Sequence, residues 1–233
     1  KRLSVGVQAI ETIDGYSEGC EQVCNAMDEV ASLIQKDNRL KKYVVGIIDR
    51  DVRQYLNNLP VKENLLVLKY YSYETHLITD TTIKSLLEQL TKILGSLITH
   101  EVVDWIKQDF ESQLNELYYF SLEALKKMCD NSYQADITYG LDGGAVIGKS
   151  KQYKWSLIET KTNDLDQFAI VHGISKSDLK YIAKGKWLLA TWCDYLIKKA
   201  KVLHSLCGIQ IPQCEYCKAG QTNKCLWKKS SSF

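Results

Sequence analysis

Residues 41–54 read KKYVVGIIDRDVRQ, an apolar and small run from Val44 to Ile48 that stops at Asp49-Arg50-Asp51. A continuous apolar run closed by acids is the pattern of a strand buried on both faces of a parallel sheet. ENLLVLKYYS at 63–72 repeats it. Upstream, LSVGVQA at 3–9 reads as a short strand, and EGCEQVCNAMDEVASLIQK at 18–36 sets Val23, Met27, Val30 and Leu33 at helical spacing after the loop glycines Gly15 and Gly19. Strand, helix, strand and strand predict an α/β unit with a mostly parallel sheet flanked by helices.

In such a sheet, ligands bind outside the carboxyl ends of the strands, where loops and helix N-termini collect. Asp49 and Asp51 fall at that edge, and two carboxylates at i and i+2 can converge on a hard cation, with magnesium the natural one. Glu74 follows the next apolar run and is expected at the same edge. Like charges so close need a cation to offset them. The plainer alternatives stay open: a solvated loop whose Arg50 neutralises its neighbours, and a Glu74 favoured at a helix N-terminus by the macrodipole.

The 233-residue length suffices for a real core. Thirty Lys and Arg nearly balance twenty-eight Asp and Glu, so the net charge of +2 gives no global argument for a polyanionic partner. No apolar run approaches bilayer length and no signal-peptide core is visible, so the expectation is a cytoplasmic protein without a membrane partner.

From Thr81 the chain repeats apolar residues at intervals of three and four for some fifty positions without a proline, predicting two or more helices capped at Thr79, Asp80 or Thr81, with Gly95 as a break. Its aromatics, Trp105, Phe110, Tyr118, Tyr119 and Phe120, are assigned to packing. Residues 131–155 read as loop-rich, and a further helical stretch is expected from the Ser177-Asp178 pair to Gly208. The expected organisation is an α/β core over 1–80, a helical region over 81–207 and a small Cys-rich tail over 208–233.

Eight cysteines are too few for a disulfide scaffold in a chain of this size, and four crowd the tail. Cys214-x-x-Cys217 is a usual half-site of structural zinc, with Cys225 downstream and Cys207 or His204 upstream to complete four ligands. Unliganded thiols are the alternative.

VVGIIDRDVRQ followed by LKYYSYETHLI resembles the TOPRIM module of the OLD-nuclease-like group, which includes effector subunits encoded beside ABC-type ATPases in phage-defence systems of the PARIS kind. The likeness covers residues 3–80, and more loosely 170–198, where Gly185-Lys186 enters a helix. It implies a Mg- or Mn-dependent nuclease acting on RNA such as tRNA, or on DNA. Asp49, Asp51 and Glu74 would be its catalytic and metal-holding acids, and Arg50, Arg53 and Lys69 its phosphate contacts. It also implies an ABC-type ATPase partner and a homodimer after release from it. The family's first motif, a strand ending in Glu-Gly, has no counterpart before LSVGVQAI and is expected ahead of Lys1; Glu11 is a substitute candidate. A module lacking that Glu would be a non-catalytic sensor or scaffold, and a primase- or topoisomerase-like module is the third reading.

Overall fold

The computed structural model describes residues 6–148 and 150–228, and the chain divides after Tyr73 into two compact units.

In the first unit, Gly19, at a φ of 115° that L side chains rarely adopt, starts α1 (Cys20–Lys36). Met27 and Ile34 form the buried stripe of this helix. Asp37 ends it and opens a 3-10 turn, its carboxylate accepting the Arg39 N–H. Strands β1 (Gly46–Ile48) and β2 (Leu65–Val67) pair in parallel, Gly46 opposite Leu65 and Ile48 opposite Val67. Helix α1 lies directly on β1. A Cβ at Gly46 would meet Met27 Cγ at 2.6 Å, so the approach requires glycine there.

The structure departs from the sequence pattern at two strands. Gly6 to Ala9 belong to no strand, and residues 3–5 of the expected first strand lie outside the described residues. The strand at 44–48 is also not buried on both faces. Side chains alternate across a sheet, so Ile48 is buried against the α1 side while Ile47 and its pairing partner Leu66 are 53% and 51% exposed. An apolar run records hydrophobicity without recording whether a second layer covers it.

The second unit is helical: α2 (Asp80–Thr91), α3 (His100–Ser112), α4 (Asn115–Cys129), α5 (Gly143–Ile147), α6 (Lys151–Glu159), α7 (Thr162–Val171), α8 (Leu179–Ile182), α9 (Gly185–Leu206) and α10 (Glu215–Lys218). Thr79 caps α2 through its hydroxyl, which accepts the Thr82 N–H, and Lys92 in left-handed conformation ends it. The 22-residue α9 is the central pillar, with α2 and α5 against it, while α4 packs on α6, α7 and α8. Trp187, Leu188, Trp192 and Leu203 of α9 join Ile83, Leu87, Ile106, Phe120 and Leu125 in the core. Trp192 meets Phe110 edge-on at 4.6 Å, and Tyr118 and Phe120 are buried, as the helical spacing of the aromatics predicted.

Residues 131–155, expected to be loop, contain α5 and the start of α6. Their order comes from tertiary contacts. Glu123 of α4, fully buried, accepts the Asp136 and Ile137 N–H groups and the Lys161 ammonium, while Lys184 and the Trp187 indole hold the Leu141 carbonyl. The helical start placed at Ser177-Asp178 lies two residues earlier. Asp178 accepts both the amide and the hydroxyl of Ser175, and α9 begins only after a break at Ala183 and Lys184. Among the described residues no helix is long and apolar enough to cross a membrane.

Candidate metal sites

Asp49 and Asp51 sit immediately past the carboxyl end of β1, which stops at Ile48. The turn they occupy is fastened to the segment leaving β2. The Asp51 N–H donates to the Tyr71 carbonyl at 2.7 Å, and Asp49 Oδ1 accepts the Tyr73 N–H at 3.0 Å. Asp51 adopts φ +48°, a region that Asp tolerates better than most residues but that still costs energy. Both acids are half-buried. Such conformations persist where surrounding contacts over-determine them, often at functional turns.

The three basic candidates differ. Arg50 is committed to Gln54 through its Nε, at 3.0 Å, and through its Nη2. Arg53 Nε lies 3.8 Å from Asp51 Oδ2 and is buried without a hydrogen-bond acceptor. Lys69 lies 5.3 Å over the Tyr70 ring. Glu74, buried in a 3-10 turn, belongs to the second unit, whereas Asp49 and Asp51 belong to the first.

One neighbour was missed at the sequence level. Cys20, the first residue of α1, bonds the Asp49 backbone; burial pushes its thiol up, the Asp49 bond opposes this, and the charges of Asp51, Arg53 and Asp49 act on it. The N-terminus of α1 therefore lies at the same edge as the acids. The Gly19-Cys20 step, a glycine opening a helix after a loop, was the available signal.

The tail brings its four cysteines together. The sulfurs of Cys207, Cys214, Cys217 and Cys225 all lie within 4.8 Å of one another. Cys207 is the residue after α9, Cys214 is the N-cap of α10 and Cys217 lies within it, and Cys225 follows a 3-10 turn at Thr222–Lys224. The Cys214 and Cys225 sulfurs are 3.9 Å apart. A disulfide would place them at about 2 Å, whereas tetrahedral thiolates on zinc at about 2.3 Å stand roughly 3.8 Å apart. Amides point at the sulfurs: Cys214 N–H reaches Cys207 Sγ at 3.3 Å, and the backbones of Leu226 and Cys217 bond Cys214. Burial pushes the Cys214 thiol up, but these bonds and the neighbouring thiols outweigh it and bring it to about 7. Cys217, buried and facing the other three, is pushed up. His204, the alternative fourth ligand, is not part of the group.

A second group, unmarked in the sequence reading, is Asp80, His100 and Asp104, whose ligand atoms also lie within 4.8 Å of one another. His100 and Asp104 share a face of α3 at i and i+4. Here Lys107 already holds Asp80 at 2.8 Å and draws its carboxyl down, so the two acids have a cation without a metal.

No family model, curated protein or solved structure matches this chain.

What the arrangement can do follows from donor chemistry. The first unit offers hard carboxylate oxygens on a fixed turn, suited to a cation that keeps most of its water and takes one or two carboxylates. The tail offers soft sulfurs in a closed, half-buried set, suited to a tetrahedral ion held for structure.

Proposed function

We propose that the chain is a divalent-metal-dependent phosphodiesterase of the TOPRIM kind, a nuclease effector whose activity is governed by an ABC-type ATPase partner. The observation that carries the reading is the Asp49-Arg50-Asp51 turn, held at the carboxyl edge of parallel strands by the Tyr71 and Tyr73 contacts. The nuclease class, the RNA or DNA substrate, the partner and the dimer after release come from the sequence resemblance alone.

In this reading Asp49 and Asp51 hold magnesium or manganese; the role of Glu74 as a further acid comes from the sequence resemblance alone. Bound there, the ion would supply Lewis-acid stabilisation of phosphate charge and an activated water. The chain's own part is positional. The turn keeps two carboxylates on one short arc, and Arg53, beside Asp51, keeps the pair from repelling and can turn to a phosphate oxygen. The four tail cysteines are assigned to zinc in a structural role.

The second reading, a non-catalytic sensor or scaffold, draws on the same atoms. Asp49 is used by Tyr73 and Asp51 faces Arg53, so both acids have structural partners. Cleavage of total RNA and plasmid DNA, with and without magnesium, by the wild type and Asp49→Ala separates the two. Magnesium-dependent cleavage lost in the variant supports the enzyme. Equal activity in both proteins removes the metal assignment, and no activity even with the ATPase partner present favours the scaffold.

A further inference from the structure

Residues 207–228 form a piece of structure with very little to hold it up. Their regular elements are the four-residue α10, two three-residue 3-10 turns and an isolated bridge between Cys207 and Ile211. Yet Ile211, Cys217, Cys225 and Trp227 are all buried, Trp227 to 2% exposure. Two sharp turns are needed, at Gly208 and Gly220, both at positive φ. Taken alone, a segment this short buries too little apolar area to offset its conformational entropy, and free peptides of this size need a covalent or metal cross-link.

The hydrogen bonding shows which kind. Backbone amides converge on the sulfurs: Cys214 on Cys207, Leu226 and Cys217 on Cys214, and Trp227 on Cys225. A neutral thiol is a poor acceptor, so donors aimed at sulfur suit thiolates. Four thiolates within 4.8 Å repel one another unless a cation sits among them. With their sulfurs 3.9 Å apart, Cys214 and Cys225 are set for a shared ion and too far apart for an S–S bond.

We infer that 207–228 is a metal-folded module, reaching this structure only with a soft divalent ion on Cys207, Cys214, Cys217 and Cys225 and unfolding without it while the helical body of the second unit stays intact. The inference rests on the zinc assignment above and adds that folding of the tail is coupled to the metal. It also explains how α9 ends. Leu206 O receives the amides of Ile209, Gln210 and Ile211, and the next residue is the first ligand, so the ion fixes the turn that stops the helix.

The test uses the full chain purified under reducing conditions. Metal content is measured by mass spectrometry, and amide hydrogen exchange is followed before stripping with a mercurial, after stripping, and after adding zinc back. Cys217→Ser and Cys225→Ser are compared with Cys193→Ser, an exposed cysteine outside the group. The expected result is one zinc per chain, with exchange over 207–228 accelerating about a hundredfold or more on stripping and recovering with zinc. Exchange in α2–α8 and the first turns of α9 stays unchanged, and Cys193→Ser behaves as wild type. Zinc present but tail exchange indifferent to stripping would overturn the coupling while leaving the zinc assignment standing. A protected tail with no metal, as free thiols or disulfides, would overturn both.

Discussion

The Asp49 carboxylate accepts the Tyr73 N–H at 3.0 Å, so the first acid of the turn after β1 also holds down the chain that leaves β2. One oxygen thus has a structural use, and the structural and chemical roles of Asp49 can be separated by isosteres. We predict that Asp49→Asn, which keeps an acceptor oxygen, changes stability by less than about 0.5 kcal/mol, whereas Asp49→Ala costs about 1 kcal/mol. Both variants lose magnesium-dependent cleavage. Urea denaturation beside the cleavage assay checks this, and equal stability in the two variants would mean the Tyr73 bond contributes nothing.

Asp51 carries the left-handed backbone of the turn. Asn tolerates that region and a β-branched residue does not. Asp51→Asn is therefore expected to fold with unchanged stability and no metal-dependent activity, and Asp51→Val to lose about 1–2 kcal/mol. Equal stability of the two variants would show that the backbone relaxes.

Glu123 is the fully buried acid of the second unit, compensated by two amides and Lys161. Lys161→Met leaves that carboxylate without its cation, and removing one partner of a buried pair costs about 3–5 kcal/mol. Lys161 is itself partly exposed, which places the expected loss at the lower end, near 3 kcal/mol. Circular dichroism during denaturation reads it, and a loss below about 1 kcal/mol would show that the amides alone suffice.

Alkaline pH offers another check. Burial pushes the Tyr118 and Tyr133 hydroxyls up to about 12, with carboxylates at Asp166 and Glu123 respectively adding to it. Because the folded values lie above the unfolded value of about 10, these groups contribute stability that is fully present below pH 10 and is lost as pH rises towards 12. Tyr118→Phe should flatten the fall in stability over that interval. An unchanged slope would contradict the burial of this hydroxyl.

What could be read from sequence divides along physical lines. Helix α1, the Thr79 cap and the apolar faces of α2 to α4 were legible because periodicity and capping are local. Strands β1 and β2 were located correctly but assigned too much burial, since a run such as Val44 to Ile48 does not say what lies on its second face. Helix α5 and the start of α6 were obscured because Gly143, Gly144 and Gly148 look like loop, and the order there comes from Glu123 and Lys184, distant in sequence. The cysteine group was visible as Cys-x-x-Cys with Cys225 downstream, and what the fold adds is that Cys207 rather than His204 completes it. The Asp80, His100 and Asp104 group had no local signal, because Asp80 comes from another helix.

In the reading proposed above, Asp49 and Asp51 bind a hard divalent cation. Manganese binding to the zinc-loaded protein, followed by electron paramagnetic resonance and displaced by magnesium, tests it without needing a substrate or a partner. The prediction is one magnesium-competable site that disappears in Asp49→Asn and in Asp51→Asn and survives in His100→Ala. Identical manganese binding by the wild type and both aspartate variants would contradict it.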